Sequence, residues 1–358
     1  MKRMRSLVAV LLAATFVCTA CGSGGKAKGD TDKKEEKKAS SSNTIVVYSP
    51  QGDDERGKWI IDRAKKDTGI DVQFLAAGGG ELADRLEAEK NNPQADVVMG
   101  LVQNAMYTLK SDDILEPYVP TWAEGLPDTY KDPDGYFHSF WQTPIVMAYN
   151  PDYMSEADAP STWTDLADPK YKDKFAFGTT SSQTVRTYLV GILWNYYDSA
   201  KGDISDEGWD VLKKIYANAG TWPSSDDAVW KAFKDGEMAI MPNWFGGIVS
   251  NTKANDIPVE YVKPADGTPM VAEAIGIVKG TKQEENAKKF IDWWGSAEVM
   301  SDYAAEFGQA PAHPDAIDKC PDEIKEQATM FKAQDIDWEV VSEHLNDWME
   351  KIELEIIP

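Results

Sequence analysis

The stretch GIDVQFLAAGGGELADRLEAEKNNPQADVVMG, which covers residues 69–100, indicates the fold class more directly than any other part of the chain. Its β-branched and apolar residues predict a strand over 71–77, three glycines predict a turn at 78–80, and leucines one turn apart predict a helix over 81–90. A strand that is apolar except for Asp96 follows over 95–100. Strand, helix and strand at this spacing predict a parallel βαβ unit in an α/β sheet covered by helices.

The same alternation continues on both sides of this stretch. A short strand over 44–49 ends in Ser-Pro-Gln-Gly-Asp, and a helix over 55–67 stops at Gly69. Two long extended segments, at 136–150 and 271–280, lie on either side of a second α/β block. For the remaining chain we expect strands over 175–180, 237–242 and 259–264, and helices over 104–109, 183–197, 208–219, 226–234, 287–294, 297–307 and in the C-terminal segment.

The N-terminus has the features of an export signal. Basic residues at positions 2, 3 and 5 precede an apolar run over 7–17, which is shorter than the ~20 residues that a bilayer-spanning helix needs. Small residues then precede Cys21, which resembles the bacterial lipobox, although Cys18 stands where that motif usually has leucine. We expect a lipoprotein signal peptide over 1–20, a lipid on Cys21, and a disordered tether over 21–43. The alternative is an ordinary secretory signal with two incidental cysteines.

Composition excludes several classes of function. The formal net charge of −23 argues against binding nucleic acid and against docking on anionic lipid, so we expect membrane contact through the lipid anchor only. With Cys21 acylated, Cys320 has no partner for a disulfide, and the histidines and cysteines lack the spacing of a metal site. The sequence has no phosphate-binding loop, nucleophile elbow or His-Glu-x-x-His motif, so we expect neither an enzyme nor a cofactor.

Six segments in the right order resemble a known family. The segments are IVVYSPQGD (45–53), the stretch 69–100, PIVMAYNPD (144–152), KDGEMAIMPNW (234–244), AIGIVKGTKQEENAKKFIDWW (274–294) and EFGQAPAHP (306–314). On these segments the chain is similar to bacterial solute-binding proteins of ABC importers with the type II periplasmic-binding-protein fold, in the branch that holds ferric-iron, phosphonate and hexose-phosphate binders.

The resemblance implies two α/β lobes joined by two hinge strands, with the ligand cleft between them. The first lobe is expected over 44–145, the second over 146–274, and 275–358 returns to the first lobe with the C-terminal helices. The hinge strands would cross near 142–147 and 273–277. The implied function is capture of a small solute by lobe closure, outside the cytoplasm, by a monomer that delivers it to an ABC permease and its ATPase subunits.

Ligands of open α/β sheets bind beyond the carboxyl ends of the strands, where helix N-termini present free N–H groups. This rule selects four loops, at 49–52, 78–80, 100–104 and 178–184, and the resemblance adds the two hinge strands and the segment after the second-lobe strand. The expected ligand-binding residues are Ser49, Gln51, Gly52, Gly79, Gly80, Gln103, Gln142, Thr179, Thr180, Ser181, Ser182, Asn243, Trp244, Phe245 and Glu273.

Simpler roles are open for several of these residues. Thr180 and Ser181 could serve only as helix caps, the glycines at 78–80 only as a turn, and Glu273 could be a hinge carboxylate satisfied by backbone N–H groups. Each of these alternatives needs the tertiary structure to decide it.

The loops at 78–80 and 178–184 favour a small organic phosphate or phosphonate, because N–H groups, hydroxyls and a helix N-terminus suit an anion. A polyamine is the alternative, indicated by Trp244, Glu273 and the acidic charge. Ferric iron comes third, because Trp244 and Phe245 stand where the ferric members of the family have two adjacent tyrosines, and their rings cannot bind iron. Binding of iron through a bridging anion stays open. A sensory binding protein of the same fold is a further alternative.

Overall fold

A computed structural model describes residues 43–357, so the expected signal peptide, the lipid on Cys21 and almost all of the tether lie outside the described residues. The strands are β1 (Thr44–Tyr48), β2 (Asp71–Leu75), β3 (Val97–Val102), β4 (Leu115–Glu116), β5 (His138–Tyr149), β6 (Tyr197–Asp198), β7 (Asp203–Ile204), β8 (Ile240–Trp244), β9 (Glu260–Tyr261) and β10 (Met270–Val278).

The helices begin with α1 (Glu55–Thr68), α2 (Gly79–Glu89), α3 (Gln103–Ser111), α4 (Gln183–Trp194), α5 (Asp206–Asn218) and α6 (Asp226–Lys234). They continue with α7 (Phe245–Asn255), α8 (Glu284–Trp294), α9 (Ala297–Phe307), α10 (Pro314–Ile317), α11 (Asp322–Thr329) and α12 (Trp338–Lys351), which runs into a π-helical turn over Ile352–Ile356. In the described part of the chain, no helix is both long and apolar enough to cross a membrane.

The main sheet has the strand order β2-β1-β3-β10-β5-β8. β1 pairs in parallel with β2 and with β3, which confirms the parallel βαβ unit predicted from residues 69–100. β10 is antiparallel to β3 and to β5, and β5 is antiparallel to β8. The sheet is therefore parallel at one end and antiparallel where the two extended segments of the sequence enter it.

β5 is shared by two parts of the sheet. Its residues 138–144 pair with β10, and residues 145–149 pair with β8. The strand can be this long because its twelve residues carry no helix signal. Both of its halves are buried. This arrangement, in which β5 and β10 cross together between two α/β parts, is the one expected of hinge strands.

Helix α1 begins and ends where its sequence predicts. The Asp54 side chain accepts hydrogen bonds from the backbone N–H groups of Arg56 and Gly57, at 2.8 and 3.3 Å. Glu55 lies in the first turn and Lys65 in the last, where their charges oppose the helix dipole. The helix ends at Gly69, whose φ of 76° is a left-handed conformation that glycine adopts without strain. This cap places Arg56 in the first turn, beside the loop after β1.

The C-terminal helix α12 contacts both α/β parts. Lys110 of α3 forms ion pairs with Asp132 at 2.6 Å and with Glu339 of α12 at 3.4 Å. On the other side, Trp348 of α12 donates a hydrogen bond to Asp203 of β7 at 2.9 Å. The expected assignment of 275–358 to the first lobe therefore stays a prediction, because this segment packs against both.

Several predicted element bounds were wrong. No strand forms over 175–180; only an isolated bridge joins Ala176 to Gly220, and the rings of Phe175 and Phe177 pack in the core instead. The helix predicted over 183–197 ends at Trp194, because Tyr197 turns back to stack on the Trp194 ring at 4.8 Å.

The other differences are shifts of a few residues. Helix α2 starts at Gly79, inside the predicted turn, and β8 ends at Trp244, two residues beyond the predicted strand. Strand β8 reaches Trp244 because this residue pairs with Ile145 of β5, and α2 includes Gly79 because the Leu82 N–H donates to the Gly78 carbonyl at 2.9 Å.

Candidate functional site

A cleft of about 740 Å³ lies between β5, the start of α7 and the chain that leaves α9. This volume is within the range of small-molecule sites. Arg56 contributes from α1, Gln142 from β5 and Trp244 from the junction of β8 and α7. The opposite wall is formed by residues 305–310 together with Glu323 and Ile324 of α11. The cleft thus joins segments that are distant in sequence, and it includes two of the residues selected from the sequence, Gln142 and Trp244.

Arg56 brings a positive charge to the cleft. Its guanidinium Nε donates to Asp54 Oδ2 at 2.7 Å, and this contact lowers the pKa of the Asp54 carboxyl. The Arg56 side chain is nevertheless 34% exposed, so part of the guanidinium is open to the cleft. The sequence rule missed Arg56 because it selected the loop at 49–52 and stopped before the first turn of the following helix.

Gln51, Glu273 and Tyr303 form a polar cluster next to Arg56. Gln51 Nε2 donates to Glu273 Oε2 at 2.5 Å, and the Tyr303 hydroxyl donates to Gln51 Oε1 at 3.5 Å. Burial raises the pKa of Glu273 to about 7, against the opposing effect of the Arg56 charge. Two predicted residues from distant parts of the chain, Gln51 and Glu273, are therefore in direct contact, and the donor to the Glu273 carboxylate in this contact is a side chain and not a backbone N–H group.

Gln142 lines the cleft, but both ends of its side-chain amide have partners within the protein. Its Oε1 accepts from the Tyr130 hydroxyl at 2.6 Å, and its Nε2 donates to the carbonyl of Pro311 at 3.2 Å. The backbone N–H of Gln142 donates to the carbonyl of Ala310 at 3.1 Å. These bonds attach the segment at 310–311 to the hinge strand, so Gln142 has a structural contact in addition to its predicted role.

Trp244 and Phe245 point in different directions. Trp244 is 46% exposed, whereas Phe245 is buried and packs on Phe331 with ring centroids 5.4 Å apart. A Cβ on Gly246 or Gly247 would lie 2.5 or 2.6 Å from the Trp244 ring, so these glycines leave room for the indole over the first turn of α7. Only the first of the two aromatic residues therefore offers its ring to the cleft.

Asn243, the neighbouring predicted residue, accepts a hydrogen bond at its Oδ1 from the backbone N–H of Trp244 at 2.9 Å. That bond fixes the chain at the point where β8 passes into α7. The carboxamide of Asn243 thus helps to set the direction of the Trp244 side chain.

The loop at 178–184 is bonded mainly within itself and to the C-terminal segment. The buried hydroxyl of Thr180 donates to the carboxylate of Glu353. The hydroxyls of Thr179 and Ser181 share a hydrogen bond of 2.7 Å, and the backbone N–H of Ser182 donates to the carbonyl of Thr179 at 3.0 Å. None of these residues is among those that line the 740 Å³ cleft, and their ligand-binding role stays a prediction.

The loop after β1 is held by short local contacts. Ser49 is buried, and its Oγ accepts from the backbone N–H of Gln51 at 3.1 Å. Gly52 packs against Phe74, because a Cβ at this position would lie 2.6 Å from that side chain. The glycine at 52 is therefore explained by packing.

The remaining predicted residues lie at other strand ends. Gly79 and Gly80 are in the first turn of α2, where an added Cβ would meet no atom within 4 Å, so their surroundings are open. Gln103 starts α3, and its Nε2 donates to the carbonyl of Thr129 at 2.7 Å. The structure does not bring these three residues to the walls of the 740 Å³ cleft.

A sequence model described as bacterial extracellular solute-binding protein matches residues 59–332. The chain belongs to this family. It is 48% identical over 314 residues, 88% of this chain and 87% of the relative, to a probable ABC transporter periplasmic-binding protein, y4fP, of Sinorhizobium fredii. It is 26% identical over 271 residues, 72% of this chain and 76% of the relative, to a putative 2-aminoethylphosphonate-binding periplasmic protein of Salmonella typhimurium.

The fold is that of type II periplasmic binding proteins. A Trichodesmium protein, IdiA (FutA), solved in complex with iron and citrate ligands, superimposes with a TM-score of 0.74 at 20% identity and covers 87% of this chain and 98% of its own. The family and its relatives bind solutes for transport and are not enzymes. The chain is therefore the extracytoplasmic solute-binding component of an ABC transporter, with a small-molecule ligand and a permease as partners.

Proposed function

We propose that the transported solute is a small organic phosphate or phosphonate, preferably one that also carries an amino or hydroxyl group, and that closure of the two lobes traps it in the cleft. The observation that carries this proposal is the partly exposed guanidinium of Arg56 in the cleft of a chain with a net charge of −23. Asp54 holds Nε and Nη2 of this guanidinium at 2.7 and 2.6 Å, and the remaining N–H donors of its planar fork match phosphate oxygens.

The apolar part of such a ligand has a surface to contact. The exposed indole of Trp244 covers the first turn of α7, and Val249 of the same helix is 38% exposed beside it in the cleft wall. A flat ring can stack on the carbon chain of a phosphonate or on the face of a sugar phosphate. The Salmonella typhimurium relative, which is named for 2-aminoethylphosphonate, agrees with this ligand class.

The cleft also holds acidic groups, and these favour the alternative of a polyamine. Glu306 and Glu323 line its outer part, and Glu273 lies next to Arg56. A ligand with only positive charges would be repelled by Arg56, whereas a zwitterion could use both kinds of group. For this reason we rank aminoalkyl phosphonates above polyamines.

The experiment that tests the proposal is isothermal titration of the purified protein with 2-aminoethylphosphonate, glucose 6-phosphate, spermidine and ferric citrate. We expect at least one of the first two to bind. Arg56→Gln should then weaken its binding about 10- to 150-fold, the loss expected when one charged hydrogen-bonding group is removed. Arg63→Gln is the matched control, because Arg63 lies in the same helix and pairs with Asp67 at 2.5 Å and with Asp302 at 3.0 Å.

Binding of spermidine alone, or of ferric citrate alone, would show that the ligand class is wrong. Equal affinities of the Arg56 and Arg63 variants for the phosphonate or phosphate would show that Arg56 does not hold the anionic group.

We also propose that a lipid on Cys21 anchors the protein as a monomer near its permease. The basic residues at 2, 3 and 5, the apolar run at 7–17 and the small residues before Cys21 support this. Incorporation of labelled palmitate into the wild-type protein and its loss in Cys21→Ser would test the anchor. Label retained in the variant would show that the lipid is elsewhere.

A further inference from the structure

Helix α12 is bonded at both ends to the second α/β part of the protein, which contains α4 to α7 and β8. Just before the helix, Gln334 Nε2 donates to the carbonyl of Gly191 in α4 at 2.9 Å. Near its end, Trp348 Nε1 donates to Asp203 Oδ1 at 2.9 Å. Because both ends are attached in this way, we expect α12 to move together with the second part.

The start of α12 also contacts the first α/β part, which contains β1 to β3 and α1 to α3. Helix α12 packs along α3, and Lys110 of α3 pairs with Glu339 at 3.4 Å. Trp338 is 8% exposed and lies where Asn104 of α3, Gln183 of α4 and strand β10 meet, around a void of only about 10 Å³. We call the contact of Trp338 and Glu339 with α3 the rear contact. It joins the two parts beside a strand that crosses between them.

The rear contact and the 740 Å³ cleft lie on opposite faces of the main sheet. Ala272 and Ile275 of β10 belong to a core cluster with residues of α1 and α9, and both of these helices line the cleft. Ala274 and Val278 of β10 belong to a different cluster, with residues of α3 and α12. A rotation about β5 and β10 that narrows the cleft on one face must therefore separate the two parts on the other face.

We propose that the rear contact holds the cleft open in the absence of ligand and thereby limits the affinity for the solute. Because α12 is bonded to the second part, closure moves Trp338 and Glu339 away from α3, and the loss of these contacts opposes closure. The apparent dissociation constant is the intrinsic one divided by the fraction of molecules that are in the competent form, so a weaker rear contact gives tighter binding. The inference rests on the proposed closure of the lobes and adds the element that controls it.

The test compares Trp338→Ala with Trp348→Ala. Both remove a buried indole from α12, but Trp338 lies beside α3, whereas Trp348 is bonded to Asp203 of the second part. In small-angle X-ray scattering without ligand, we expect a smaller radius of gyration for Trp338→Ala than for the wild type, and no change for Trp348→Ala. The affinity for the compound that binds in the titration above should rise about 5- to 30-fold in Trp338→Ala and change less than about threefold in Trp348→Ala.

A milder pair of variants serves if a tryptophan variant does not fold. Glu339→Gln removes only the ion pair with Lys110, which keeps its contacts with Asp132 at 2.6 Å and Asp134 at 2.8 Å. Glu350→Gln, at an exposed position near the other end of α12, is its control. Glu339→Gln should be the more compact of the two without ligand and should bind about 1.5- to 5-fold more tightly, the range expected for a partly exposed ion pair. Equal size and equal affinity would refute the inference.

The outcomes separate this inference from the proposed function. If the ligand-bound wild type is no more compact than the free one, the proposed closure is wrong and the inference fails with it. If the wild type closes, but Trp338→Ala keeps the size and affinity of the wild type, binds more weakly, or changes no more than Trp348→Ala, only the inference is refuted. If none of the four compounds binds, the proposed ligand class fails, and the radius of gyration of the ligand-free variants decides the inference by itself.

Discussion

Replacement of Glu273 by glutamine should make the protein more stable at pH 8 and leave its stability nearly unchanged at pH 4.5. The pKa of this carboxyl is about 7 in the folded protein, against an ordinary value of 4.5. Between these two values the folded state binds more protons than the unfolded state. The free energy of unfolding therefore falls as pH rises through this window, and the loss is complete above about pH 7.

The size of the effect follows from the pKa difference. Each pKa unit corresponds to about 1.4 kcal/mol, so the full shift would give about 3 kcal/mol. Glu273 is partly exposed, and water reduces the penalty of ionisation, so we expect a measured difference of about 1–3 kcal/mol. Glutamine keeps the shape of the side chain and can still accept a hydrogen bond from Gln51, which limits other changes.

The assay is urea unfolding of wild type and variant at pH 4.5, 6, 7 and 8, followed by circular dichroism and by tryptophan fluorescence. The two probes must give coincident transitions, because a two-lobe chain need not unfold in one step. Subtraction of wild type from variant cancels the contributions of the other carboxylates. Glu87→Gln, on the exposed side of α2, is the control for the loss of one carboxylate at a site away from Arg56.

A stability difference that does not change with pH would refute the reasoning. It would mean that folding does not raise the pKa of Glu273, because its contacts with Gln51 and Arg56 offset its burial. A difference of opposite sign, with the variant less stable at pH 8, would mean that attraction to Arg56 exceeds the cost of burial.

Lys110→Met should lower the free energy of unfolding by about 3–5 kcal/mol, because the side chain of Asp132 is 0% exposed and would keep an uncompensated charge. Lys231→Met is the comparison and should change stability little, because Lys231 is 71% exposed in its ion pair with Asp235. Urea unfolding measures both, and equal effects would contradict the role given to the buried pair. Gly247→Ala should displace the cleft tryptophan, shift its fluorescence and weaken ligand binding, because the new Cβ would lie 2.6 Å from the indole. Gly80→Ala has open space at its Cβ and should raise helix stability by up to about 1 kcal/mol, measured by thermal unfolding. Unchanged fluorescence in Gly247→Ala, or a loss of stability in Gly80→Ala, would count against these packing arguments.

Much of the frame could be predicted from local patterns. The apolar run at 95–100, the glycine stop after 55–67 and the extended segments at 136–150 and 271–280 became β3, α1, β5 and β10. These predictions succeeded because a helix or strand buries one face, and its apolar residues therefore recur with the period of that element. The family resemblance also predicted the type II fold, which the comparisons confirm.

The candidate site could be predicted only in part. Gln51 and Glu273 were selected separately, and their contact across 222 positions of the chain was not foreseen. Arg56 was missed, although its place in the first turn after the β1 loop was a usable signal. Phe245 was expected beside Trp244 in the cleft, and it is buried against Phe331. Whether a residue near a strand end faces a ligand depends on which neighbours fill the space around it, and a sequence pattern does not give those neighbours.

The sequence by itself determined the alternation of strands and helices, the two long extended segments and the acidic charge, because these depend on composition and on spacing along the chain. The tertiary structure decided the rest. The phenylalanines at 175 and 177 have the alternation of a strand, but they pack into the core without forming one, because pairing requires a partner strand with free backbone groups. The pKa of Glu273 is likewise raised only in the folded protein, because folding removes water from its carboxyl and this effect exceeds the opposing effect of the Arg56 charge.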